Sequence, residues 1–203
     1  MNRPNPKPAP IAVVWVATEP APRGWTAWLQ RLLSGYAAGL GHPGAGITLL
    51  VADDAALRDL NAAHRGHRRP TDILSFGYGE AQPSRRKAPP GAAPRRPAPP
   101  CPAPPAPVGS RRSRHGTLLG ELAVSWERVR VQARANGWEP RTEMARLLAH
   151  GCVHLLGHDH ATRAADAAML RIEERLLDAA GFAGLYPAAR PPGRRRRPSS
   201  NPG

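Results

Sequence analysis

The chain has 203 residues, of which 41% are apolar and 5% aromatic, with 29 Lys and Arg against 15 Asp and Glu and a formal net charge of +14. That length and apolar content suffice for one domain with a sizeable core, whereas 25 prolines exclude a uniformly folded chain. Two cysteines exclude a disulfide framework, and the apolar run near the N-terminus, "IAVVWVA", is too short to span a membrane.

That run reads as a first strand. The segment "GWTAWLQRLLSGYAAGL" follows with Trp28, Leu32, Leu33, Tyr36 and Leu40 at helical spacing, and "AGITLLVA" reads as a second, apolar strand. Helical spacing returns in "DDAALRDLNAAHRG", with Asp53 as its cap and Leu57, Leu60 and Ala63 facing inward. "TDILSFG" and "LLGELAVS" are two more strands. Three helices complete the pattern over about 126–136, 140–157 and 162–180. Pro140 opens the second at a favourable first-turn position, and Ala165, Met169, Ile172 and Leu176 form the apolar stripe of the third. The order predicts an α+β domain, a small mixed sheet packed against several helices.

Residues 1–8, 83–116 and 187–203 carry Arg and Lys without a single Asp or Glu, so the excess positive charge belongs to them and the remainder is near neutral. The longest of these, from Pro83 to Gly116, holds 11 of the 25 prolines and no aromatic residue, and buries too little to offset its ordering entropy. It reads as a disordered insert at about 83–116 in a single domain over 9–186, followed by a disordered basic tail at 187–203. An insert between hairpin strands is tolerated passively, at about 0.6 kcal/mol per doubling of loop length. Its arginines also suit an electrostatic tether to polyanions through counterion release.

The chemistry is concentrated in "HGCVHLLGHDH", residues 150–160. His150 and His154 stand four apart and project from one helix face, about 40° from each other. Gly157 turns the chain, and His160 completes the ligand spacing of the H-E-x-x-H-x-x-G-x-x-H pattern of metzincin proteases. His158 competes for the third place, but the Gly157 turn and the spacing favour His160. Three neutral nitrogens hold one zinc ion with an open coordination position, the catalytic arrangement. The fold is thus expected to be zincin-like, with its metal site at a helix C-terminus and the following loop, and Asp159 or a nearby carboxylate orienting a ligand. Cys152 points roughly 200° away from His150 and reads as a small buried core residue. Both cysteines fit a reducing cytoplasm. Gly151 stands where the proteases carry the glutamate that activates water.

Together with "LNAAHRGHRRPTDILSF" and "GEL", the histidine segment resembles the YbeY family of bacterial metal-dependent endoribonucleases, over about residues 50–80 and 118–180. The resemblance implies zinc on His150, His154 and His160, a Gly after the first histidine, and Arg65 as the arginine important for activity. It also implies a single-strand-specific endoribonuclease of ribosomal RNA maturation and ribosome quality control, cytoplasmic, with RNA, the ribosomal small subunit and assembly factors as partners. The family's G-D-I motif appears as Gly120-Glu121-Leu122, and the basic insert departs from its short connection. The chemistry agrees, because zinc brings bound water to a pKa of about 7 and Gly151 cannot carry a proton to a leaving amine. A metal and Arg65 together can neutralise phosphodiester charge. Around Arg65, the residues His64, His67, Arg68 and Arg69 read as a solvated basic loop or as part of an RNA surface. Two other readings are a zincin-like metallopeptidase and a non-catalytic ribosome assembly factor that uses zinc structurally.

Overall fold

The apolar, β-branched segments form four strands, β1 (Ala12–Trp15), β2 (Gly46–Ala52), β3 (Ile73–Gly77) and β4 (Leu118–Ser125), in a computed structural model that describes residues 11–78, 117–158 and 162–185. Their order is β1-β2-β4-β3. Strand β1 runs parallel to β2 and β2 to β4, while β3 is an antiparallel edge strand on β4. The sheet is therefore mixed. Five helices accompany it: α1 (Trp25–Gly39), α2 (Asp54–Arg65), α3 (Trp126–Asn136), α4 (Pro140–Leu155) and α5 (Arg163–Ala179). The segment 83–116 separates the antiparallel neighbours β3 and β4; it lies outside the described residues, as do the 187–203 tail and Cys101.

Successive side chains of a strand point to opposite faces, and both faces are covered. Ile47, Leu49, Ile73, Leu122 and Val124 join residues of α1, α4 and α5 in the larger core. Leu50, Leu74, Phe76 and Ala123 meet Leu57 and Leu60 of α2 on the other side. Helices α2 and α4 thus lie on opposite faces, in a mixed α/β arrangement consistent with a zincin-like fold.

Two local expectations change. Asp53 occupies the N-cap position of α2, but its carboxylate makes no cap bond. It accepts instead from the backbone N–H and the hydroxyl of Thr18, at 2.9 and 2.6 Å, and the Asp54 N–H donates to Glu127 Oε2 at 2.7 Å. The inward position expected of Ala63 goes to Asn61, which is 5% exposed, while Ala63 is exposed. Burial of this amide is tolerated because its Nδ2 donates to the Arg69 carbonyl at 2.8 Å.

Helix α4 sits close on the sheet through glycines. Gly77 and Gly120 face each other across β3 and β4. A Cβ on Gly77 would lie 2.6 Å from the Leu155 carbonyl oxygen, and one on Gly120, at φ +156°, would lie 2.2 Å from the Phe76 oxygen. One turn earlier in α4, a Cβ on Gly151 would lie 2.6 Å from Ile73 Cδ1 and 2.9 Å from Leu122 Cδ2. In an open helix, Gly→Ala stabilises by about 0.5–1 kcal/mol. At position 151 overpacking, typically about 1–3 kcal/mol, reverses the sign. Gly151→Ala should therefore lower the urea midpoint at unchanged slope, and a raised midpoint would contradict this seating.

Candidate metal centre and adjoining cleft

On the last two turns of α4, His150 and His154 bring their Nε2 atoms to 3.1 Å, with ring centroids 4.5 Å apart. The opposite nitrogens are both engaged: His150 Nδ1 lies 2.8 Å from Glu173 Oε1 of α5, and His154 Nδ1 lies 2.8 Å from the His158 carbonyl oxygen. Both partners are acceptors, so each Nδ1 carries the proton and the Nε2 lone pairs of neutral rings converge. Two lone pairs at that distance repel unless a proton or a cation lies between them. Zinc–nitrogen bonds of about 2.0–2.1 Å in tetrahedral geometry separate two nitrogens by about 3.3 Å, so this donor pair fits zinc. The third expected ligand, His160, and Asp159 lie outside the described residues, and among the described residues no group of three potential ligands assembles.

The orienting carboxylate is Glu173. It is 4% exposed and sits on the apolar face of α5, four residues after Met169 and three before Leu176. An acidic residue inside an apolar stripe was the available signal, since a buried carboxylate requires a partner. Gly151 faces Ile73, Leu122 and Ser75 on the sheet, so the position that bears the base in metzincins is taken up here by helix packing. Cys152 is buried, and that burial pushes its thiol up to about 12. It is a core residue.

Arg65 ends α2, exposed, and lines a cleft of about 300 Å³ with Asn61, His67, Arg69, Asp72, Arg128 and Gln132 among others. Neither histidine lines it, so the structure brings His150 and His154 together and places Arg65 in a neighbouring concavity. The two are linked through α4: Arg146, one turn before His150, donates from Nη2 to Gln132 Oε1 at 3.4 Å. The larger hollow, about 450 Å³ between α1 and α5, is lined by neither histidine nor Arg65. The basic cluster divides, with His67 and Arg69 in the cleft and the His64 ring edge-on against Phe76 at 4.9 Å. Glu121 pairs in register with Phe76. It also accepts a hydrogen bond from Tyr78, whose hydroxyl is pushed up to about 12 by burial and then by this carboxylate. Arg128 and Gln132, from α3, escaped the sequence reading because nothing near them in the chain points to a site.

Residues 18–181 match the family model described as Endoribonuclease YbeY. Curated relatives bear the same description. That of Roseiflexus sp. (strain RS-1) is 39% identical over 137 residues, 67% of this chain and 71% of the relative. That of Roseiflexus castenholzii is 36% identical over 137 residues, 67% and 70% of the two chains. That of Moorella thermoacetica is 35% identical over 156 residues, 76% and 85%.

Glu173→Gln removes a charge while keeping shape, and should weaken zinc binding about 10–100-fold with an unchanged circular dichroism spectrum. Competition with a chromogenic chelator measures it. Unaltered affinity would reduce Glu173 to a packing role.

Proposed function

The chain belongs to the YbeY family, metal-dependent endoribonucleases that process ribosomal RNA, and we propose that His150, His154 and His160 hold one zinc ion at which single-stranded ribosomal RNA is cut during maturation and quality control. The observation that carries the metal centre is the approach of two Nε2 atoms to 3.1 Å with both Nδ1 atoms on acceptors. Bound there, zinc supplies a Lewis acid and draws the pKa of water toward about 7.

The chain's own residues supply orientation and charge. Glu173 and the His158 carbonyl fix the ring tautomers and hold both imidazoles in place. The planar Arg65 guanidinium pairs with phosphate oxygens, so it neutralises charge on the scissile phosphodiester. With Gly151 against the sheet, no base is available there to carry a proton to a leaving amine, which favours a phosphodiester substrate over a peptide. The domain spans 9–186 around the insert and acts in the cytoplasm on the ribosomal small subunit and its assembly factors. No helix among the described residues is long and apolar enough to cross a membrane.

Purified His154→Ala should be nearly metal-free where the wild type holds about one equivalent; equal metal content in both would remove the ligand assignment. Arg65→Ala should keep metal and fold yet lose cleavage of single-stranded RNA by about 10²–10³, the usual cost of deleting one charge-stabilising donor. Undiminished cleavage would take Arg65 out of the site. Replacing residues 84–114 by a short Gly-Ser turn should preserve fold and metal, because β3 and β4 still pair as antiparallel neighbours. That variant should bind RNA more weakly at low salt with a shallower salt dependence. Identical salt slopes would make the insert passive.

A further inference from the structure

The cleft at the end of α2 gathers Arg65, His67, Arg69 and Arg128 around about 300 Å³, with Asp72 as the acid in its lining. That acid is already engaged. Its Oδ1 accepts from the Ile73 N–H at 2.9 Å and from the Thr71 hydroxyl at 3.3 Å, and its Oδ2 accepts from Gln132 at 3.5 Å. The ion pairs among the described residues include neither Arg65 nor Arg69. Arg128 meets Asp54 through Nε at 3.1 Å, a contact that does not use its two terminal amino groups. The loop is held, because Asn61 donates to the Arg69 carbonyl. Guanidinium groups gathered in one concavity repel one another until an anion enters, and their planar donor sets suit phosphate oxygens.

We propose that this cleft is a phosphate-binding subsite, which holds the RNA backbone at a phosphate other than the one being cut, with Arg69 and Arg128 as its anchoring cations. The assignment rests on the ribonuclease reading above and names how that enzyme grips its substrate beyond the metal. Its link to the histidines runs through α4: Gln132 of the cleft meets Arg146, which precedes His150 by about one helical turn, 5.4 Å. Arg65 belongs to both readings, so it is not the residue that tests this one.

The test compares Arg69→Ala with Arg68→Ala in the full chain, using a nuclease-resistant 2′-O-methyl single-stranded oligonucleotide for binding and an unmodified RNA for turnover. Arg68 does not line the cleft. Arg69→Ala should bind several-fold more weakly, with a log–log salt slope shallower by about 0.7. It should also raise KM at constant kcat, while Arg68→Ala does neither and Arg69→Lys recovers the slope. Basic segments elsewhere contribute equally to all the proteins compared. Equal slopes and equal KM for Arg69→Ala and Arg68→Ala would overturn the subsite while leaving cleavage intact. A wild type that binds with the expected slope difference yet cuts no RNA would sink the ribonuclease reading and leave the phosphate cleft standing.

Discussion

Where α4 crosses β3 and β4, Gly77, Gly120 and Gly151 remove the side chains that would hold the helix away, so the Leu155 carbonyl comes within 2.6 Å of where a Gly77 Cβ would stand. This close approach fixes the rotation of α4. Gly151 and Leu155 must face the sheet, and His150 and His154, each one residue earlier, are therefore turned about 100° round the helix. The same contact disposes of the base. A side chain at 151 would meet Ile73 and Leu122, so the seating that aims the histidines also withholds a carboxylate from that position. Helix seating and the direction of the histidines are set by one constraint.

Two buried carboxylates illustrate how α4 is tuned. Glu143, fully buried, receives both Arg146 Nε at 3.0 Å and Nη2 at 2.5 Å, a bidentate pair whose partner is permanently charged. Such a pair holds structure and answers to nothing outside. Glu173 instead faces His150, whose other ring nitrogen meets His154 Nε2 at 3.1 Å. Desolvating a carboxylate costs several kcal/mol, and a cation on the far side of the imidazole strengthens the hydrogen bond that offsets it. The burial of Glu173 is thus coupled to the histidine pair, whereas the burial of Glu143 is not.

The elements were legible because their apolar periodicities are strong: the boundaries of α2, α3 and β4 were readable nearly to the residue from "DDAALRDLNAAHRG", "WERVRVQARAN" and "LLGELAVS". The pairing of His150 with His154 was legible for the same reason, since both ends of that contact lie on one helix. Periodicity tells which face of its own element a residue occupies, and it says little about what a distant element brings to that face. Glu173, on α5, and Arg128 with Gln132, on α3, were hidden on that account. Asp53 looked like a cap because its neighbours make a helix, but Thr18, 35 positions earlier, competes for the carboxylate. Gly151 could be read as a missing glutamate but not as a contact with Ile73, which only the assembled sheet reveals.

Charge in this chain works on two length scales. The acid-free segments at 1–8, 83–116 and 187–203 hold the excess of Arg and Lys, and their attraction to a polyanion is screened beyond about 8 Å at physiological salt. The longest of them is attached where it counts. The chain leaves β3 at Tyr78 and returns at Thr117, at the end of the sheet where Tyr78 N–H bonds to the Leu119 carbonyl and Leu155 rests over Gly77. That is also the end of α4 that bears His154. The two ends of that segment therefore lie at the same end of the sheet as His154. The packing of α4 on Gly77, Gly120 and Gly151, which sets the direction of the histidines, is made entirely among residues of β3, β4 and α4.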